Sequence, residues 1–415
     1  MAGQNRRDAE TRKDDLRTGQ PFWLKTPNIS AQTGDLPRRS GWDVIVVGAG
    51  ISGALMAEAL SAAGKSVLVL DRRQPVRGST PASTAMIQHE IDIPLTQHIR
   101  EMGRKPAEAV WHRSVAAVEG LVTLIRDLGI DCSMQPKQAL YLSGNQMGAR
   151  ALKSEAEARQ RAGIEAEYLN APALRDRFGI DRTAGIVSTA SASANPAQMT
   201  AGLLNVAVSR GAVIASPVEI TDMAELPGGV ALATRAGEVL TAQSAVFCTG
   251  YEFLPVMQSP IHAITSTWAL ASRPGIARPD WLDDFLVWEA AEPYLYYRTT
   301  PDGRIIAGGE DEDDPDRNDD PDLLTRKAAR ISEKLRDLAG IEIGEPAYIW
   351  SAPFGNTTDG LPIIDRVPGH DRVFAVMGFG GNGITFSKIA AEIVSAAILG
   401  NADPDAGLFA FRDGR

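Results

Sequence analysis

The chain has 415 residues, 44% hydrophobic and 23% charged, enough apolar sequence for two lobes with buried cores and too much for a disordered chain. Its 42 Lys and Arg against 52 Asp and Glu give a formal net charge of -10, which argues against general nucleic-acid binding and favours a small-molecule partner. The two cysteines, Cys132 and Cys248, form no CxxC pattern, so neither a disulfide framework nor a cysteine metal site is suggested.

In chain order, residues 1–40 are polar and charged, with no apolar core of a signal peptide, so a cytoplasmic location is expected. Phe22, Trp23 and Leu24 stand between polar flanks in this extension; they suit docking on the body or on a neighbouring subunit, with a mobile tail as the alternative. The most apolar window, 44–63, contains Glu58 and opens as a strand, which makes it a poor membrane helix. No membrane partner is expected, and a homo-oligomer is left open.

From Trp42 the β-branched run 44–47 reads as a buried strand, followed by a glycine turn and a helix ending near Gly64. A second strand, 67–70, ends at Asp71, completing a βαβ unit. A loop of small residues, 78–85, precedes a helix over 106–128. Short strands are expected at 185–187, 213–214, 218–220 and 245–248, then aromatic-rich strands at 268–270 and 294–298. The acidic run 310–322 reads as a solvated loop, 323–338 as a helix and 389–399 as the final helix.

The chemistry concentrates in the glycines. Gly48, Gly50 and Gly53 form a GxGxxG that follows a strand, opens a helix and precedes a strand-ending acid, Asp71, about twenty residues on. Gly48 permits the tight turn, Gly50 lets the main chain approach a pyrophosphate, and Gly53 lets the helix pack on the strand. Ile51 and Ser52 begin the helix whose positive end faces the anion. Asp71 would then accept hydrogen bonds from ribose hydroxyls, and the neighbouring Arg72 is a further candidate for cofactor binding. Spacing alone does not separate NAD from FAD.

The stretches "LDRRQPVRGSTPASTAMIQHE", "SAVFCTG", "TTDGLPIID" and "FAVMGFGGNGITFSKIAAEI", in that order, resemble the D-amino-acid-oxidase family of FAD-dependent amine and amino-acid oxidoreductases. The resemblance implies an α/β fold: a Rossmann-type FAD-binding domain of the GR2 type, interleaved with an α+β substrate domain carrying a large antiparallel sheet. The corresponding borders are an extension over 1–40, an FAD domain over 41–130, 186–254 and 349–415, and a substrate domain over 131–185 and 255–348. It further implies that Gly78, Ser79, Thr80, Ser83, Thr84 and Met86 wrap the pyrophosphate and reach the flavin. Val218 would meet the adenine, and Thr249 and Gly250 would end the strand beside the cofactor. Gly381, Asn382, Gly383, Ile384 and Thr385 would line the ring through main-chain groups, with the last helix pointing its positive end at the flavin.

Two features of the family are missing. Amino-acid-oxidising members hold the substrate carboxylate with an arginine shortly before "DGLP", and glycine oxidase adds one in the closing glycine segment; this chain has none in 350–358, and Gly381 occupies the second position. No cysteine lies before "TDG" either, so FAD is expected to be held non-covalently. Tyr294 and Tyr296 share one strand face and are candidates to cover the substrate, with Arg298 as a substitute anion binder and Gln88 and His89 as residues entering the cavity. The five histidines form no metal-binding spacing. The expected activity is oxidation of a C–N bond in an amine or amino-acid-like substrate, by hydride transfer to flavin N5 and hydrolysis of the imine. The alternatives are a hydroxy-acid dehydrogenase and a non-catalytic flavin-binding assembly or regulatory protein.

Overall fold

The computed structural model describes residues 16–39 and 41–412. Two sheets divide the chain. The smaller has eight strands, with Trp42–Val47 between Val67–Leu70 and Val239–Phe247, all parallel. Val213–Ala215 and Val373–Met377 extend it in parallel on either side, and Ile363–Arg366 closes one edge antiparallel. Val44, Ile45 and Val46 are fully buried because helices and loops cover both faces, which is why this strand reads as a continuous apolar run. The helices Ile51–Ala62 and Gly383–Ile398 pack side by side against the sheet and both aim their N-termini at one cleft.

The larger sheet has ten strands. Its order runs Thr18–Gly19, Tyr348–Thr357, His262–Ala271, Ile305–Glu312, Leu295–Thr299, Phe285–Glu289, Gln135–Leu142, Ala184–Ser193 and Met86–Gln88, with Glu167–Asn170 beside Ala184–Ser193. Every pairing is antiparallel except that of Phe285–Glu289 with Gln135–Leu142. The expected borders at 186 and 349 therefore cut through strands of this sheet, since both Ala184–Ser193 and Tyr348–Thr357 lie within it. Alternation along a strand reports a buried face but not which sheet the strand joins.

The start of the long helix Pro321–Ala339 has a local cause. Asp320 accepts from the amides of Asp322 and Leu323, and Pro321 occupies the first turn. The N-terminal segment docks on the body. Thr18 and Gly19 pair with Ser351 and Trp350, Trp23 is 3% exposed, and Gly34 bridges to Ala215 at the edge of the parallel sheet. Residues 1–15 of the extension lie outside the described residues. No helix among the described residues is long and apolar enough to cross a membrane.

Candidate active site

A cleft of about 350 Å3 runs between the sheets, beginning at the turn after Trp42–Val47. Gly48 has φ +112, and a Cβ added there would stand 2.2 Å from the Cys248 carbonyl oxygen. At Gly53 an added Cβ would lie 1.8 Å from the Gly48 carbonyl oxygen, so this glycine serves helix packing and does not line the cleft. Gly50 does line it and is the cap of helix Ile51–Ala62, which has no side-chain cap of its own. Thr80 Oγ1 accepts from the Ile51 amide at 3.0 Å, and the rest of the first turn, with Ser52, presents a bare positive helix end to the cleft.

Asp71, Arg72 and Val218 line the same end of the cleft. Asp71 accepts from the amides of Ala49 at 2.7 Å and Arg73 at 2.8 Å. Burial raises its pKa, against the opposing effect of those two amides. Arg72 and Arg73 pair with Glu252, and the Val218 amide donates to the Asp71 carbonyl at 2.7 Å.

The loop wall follows. Gly78, Ser79, Thr80, Ser83, Thr84 and Met86 line the cleft opposite Thr249 and Gly250. Three side chains from outside hold three consecutive carbonyls of this loop: Trp350 Nε1 donates to Ala82 at 2.9 Å, Trp23 Nε1 to Ser83 at 2.8 Å and Arg298 Nε to Thr84 at 2.8 Å. Arg298 also donates to the carbonyls of Thr299 and Ala194, lies 5.2 Å over the Trp23 ring and is 2% exposed. Its donors are committed to backbone and it does not line the cleft, so the expectation of a substrate-binding arginine is corrected. Burial without a carboxylate partner pushes its pKa down to about 9.

At the inner end, Gly381, Asn382, Gly383 and Ile384 line the cleft after Gly378 and Gly380, whose φ values of +72 and +56 require glycine-like backbone. Asn382 Nδ2 donates to the Glu90 carbonyl at 2.6 Å, and Thr385 donates to the Gln88 carbonyl at 2.9 Å. Thr385 is thereby turned away from the cleft and locks the helix start. The hydroxyls of Ser52 and Ser387, 2.8 Å apart, tie the two helix N-termini together.

Tyr294 and Tyr296 line this end, with ring centroids 5.7 Å apart. Gln88 also lines it, but His89 does not: it is 1% exposed, with Nδ1 3.2 Å from the Ala190 carbonyl and its ring edge against Trp111. Burial lowers the His89 pKa, and its expected entry into the cavity is corrected to a core position. A second cavity of about 1350 Å3 adjoins the first, and Asp92, Trp288, Tyr294, Phe354 and Gly380 line both.

Sequence reasoning missed two residues here. Asp92 accepts from the Gly381 amide at 2.8 Å, and Asp311 accepts from the Tyr294 hydroxyl at 2.6 Å. Asp92 follows the loop motif closely enough to have been suspected. Asp311 lies in the acidic run read as a solvated loop, which is corrected: residues 310–312 end the strand Ile305–Glu312. Burial raises the Asp311 pKa to about 6, against hydrogen bonds from Tyr294 and Thr267.

Residues 43–397 match the family described as DAO, FAD dependent oxidoreductase. The chain belongs to this family. Glycine oxidase of Bacillus licheniformis is 24% identical over 394 residues, covering 88% of this chain and 94% of the relative. A Bacillus subtilis protein that carries the name of a Rieske 2Fe-2S iron-sulfur protein is 22% identical over 382 residues, covering 88% of this chain and 70% of the relative. Among solved structures, glycine oxidase from Geobacillus kaustophilus superposes with a TM-score of 0.76 at 18% identity, covering 91% of this chain and all of that one. The protein is an FAD-dependent oxidoreductase with the fold of these enzymes.

The residues present fit FAD. The bare end of helix Ile51–Ala62 and the glycine cradle suit the pyrophosphate, and Asp71 suits the ribose. The bare end of helix Gly383–Ile398 and the amides around Gly383 suit the electron-rich edge of the ring.

Proposed function

We propose that this protein oxidises a C–N bond of an amine or amino-acid-like substrate, with FAD held non-covalently. The observation that carries the reading is the junction of the two cavities: the cleft that fits FAD meets a separate chamber across a wall of Tyr294, Trp288 and Phe354. A substrate in that chamber would approach the inner end of the cleft and leave the remainder of the cofactor covered. Bound FAD supplies a two-electron acceptor for the hydride on the carbon next to nitrogen; the imine product is then hydrolysed by water.

The chain's own contribution is position and exclusion of water. The Tyr294 phenol is fixed by its bond to Asp311, and Tyr296 beside it completes an aromatic wall. Hydride loss requires a neutral amine, so the proton of an incoming ammonium must pass to an acceptor at the site or to water; Asp311 and Asp92 are the carboxylates positioned for it. Non-covalent retention is supported by the absence of cysteine from residues 350–358.

The test is anaerobic mixing of the yellow protein with amines, N-methyl amino acids and hydroxy acids while the flavin band is followed. Bleaching by nitrogen compounds supports the reading. Bleaching by hydroxy acids alone, or by no member of the panel, overturns it. Release of all flavin on acid or heat denaturation is expected; flavin that stays with the chain overturns non-covalent binding.

A further inference from the structure

The junction between the cavities has an unusual inventory of polar groups. Asp92 stands open to the chamber, with Oδ2 fixed by the Gly381 amide at 2.8 Å. A Cβ added at Gly381 would lie 2.8 Å from Asp92 Oδ1, so this carboxylate fills the space into which a side chain from position 381 would run. Asp311 has Oδ2 on the Tyr294 hydroxyl and meets the Thr267 hydroxyl as well, with no cation beside it among the described residues. Gln88, only 6% exposed, lines the cleft nearby, and its Oε1 is buried without a partner. All three side chains offer hydrogen-bond acceptors.

Cations are placed elsewhere. In the cleft, Arg72 and Arg73 pair with Glu252, and Arg235 pairs with Glu219. In the chamber, Arg100 and Arg150 are exposed side chains, and neither lines the inner cleft. The remaining surface at the junction is aromatic: Tyr294, Tyr296, Phe354, and Trp288 stacked on Tyr141 at 3.8 Å. Acceptors and aromatic faces without a fork of donors complement a cation and repel a carboxylate.

We infer that the substrate is a cationic amine with no carboxylate beside its reacting carbon, recognised by Asp92 and Asp311 at this junction. The inference rests on the C–N-oxidising reading and narrows its substrate class. Asp92, exposed to the chamber, takes one N–H of the ammonium, Asp311 supplies a second negative charge at the junction, and the aromatic rings cover the carbon skeleton.

Two probes of opposite charge test it on the holoenzyme. tert-Butylammonium and pivalate carry the same tert-butyl group and opposite charges, and neither has a hydrogen on the central carbon to lose as hydride. Binding is read by calorimetry and by quenching of Trp288 fluorescence, with Trp288→Phe identifying the signal. The expected result is that the cation binds about tenfold or more tightly than the anion, and that Asp92→Asn and Asp311→Asn each weaken the cation about tenfold. Equal or tighter binding of pivalate overturns the inference without recourse to any variant, as does undiminished cation binding by both variants. Bleaching of the flavin by simple α-amino acids but not by amines without a carboxylate would retain C–N oxidation and refute this substrate class. Cation binding with no bleaching by any nitrogen compound would do the reverse.

Discussion

Trp23 should control how tightly the protein keeps its cofactor, although it does not line the cleft. Its indole is 3% exposed, donates to the Ser83 carbonyl at 2.8 Å and lies beneath the Arg298 guanidinium at 5.2 Å. Trp23→Ala removes a buried aromatic and leaves a cavity, a loss of about 3–5 kcal/mol. Trp23→Phe keeps most of the packing and the ring face under Arg298 but deletes the N–H, leaving the Ser83 carbonyl without its donor at a cost of about 1–3 kcal/mol. Because Ser83 and Thr84 line the cleft that fits FAD, the phenylalanine variant should release FAD faster than wild type even where its urea midpoint falls only slightly. Freed flavin fluorescence after dilution measures the release and urea unfolding measures the stability. If both variants lose stability yet release FAD at the wild-type rate, the N-terminal segment merely packs on the body and does not hold the loop.

Three further outcomes follow from the same geometry. Gly53→Ala places a methyl group 1.8 Å from the Gly48 carbonyl oxygen, so it should cost about 3 kcal/mol or more and yield protein with little bound FAD, read by the ratio of flavin to protein absorbance. Asp71→Asn turns an amide NH2 toward either the Ala49 or the Arg73 N–H, so one contact is lost at about 1–3 kcal/mol; FAD affinity should fall with it in a titration of apoprotein. Asp311 has its folded pKa raised from 3.8 to about 6, so the folded state holds its proton more tightly than the unfolded chain. Its contribution to stability is therefore greatest below pH 4 and is lost as pH rises through 6, a change on the order of 3 kcal/mol at 1.36 kcal/mol per unit. Urea midpoints at pH 5 and 7.5 should converge in Asp311→Asn relative to wild type, and an unchanged difference would assign the pH dependence to other groups.

What could be read in the sequence was local. The GxGxxG turn, the loop 78–86 and the closing glycines act through their own backbone within a few residues, and their spacing is already a statement about geometry. The errors arose where a side chain's surroundings come from distant chain. Tyr294 and Tyr296 line the cleft together, and by alternation Arg298 follows on the Tyr296 face of strand Leu295–Thr299. Two residues beyond Tyr296, however, that face is covered by the cofactor loop, and the Thr84 carbonyl takes the guanidinium that the sequence offered to a substrate.

The acidic run shows the same limit in a more consequential way. Read as composition, residues 310–322 are a solvated segment, and most of their charges do lie toward water. Residues 310–312 instead finish a strand, bulged where Glu310 takes φ +62 and the pairing shifts register between Ser266 and Trp268, and the two neighbouring carboxylates part there. Glu310, 3% exposed, turns toward helix Pro321–Ala339, where Lys334 pairs with its carboxylate and Lys327 donates to its carbonyl at 2.6 Å. Asp311 turns the other way, onto Tyr294 at the wall of the second cavity. One buried carboxylate is thus neutralised by lysine while its neighbour meets only the hydroxyls of Tyr294 and Thr267. Burying a carboxylate with no cation beside it costs stability, and a cationic amine is the ligand that would offset it.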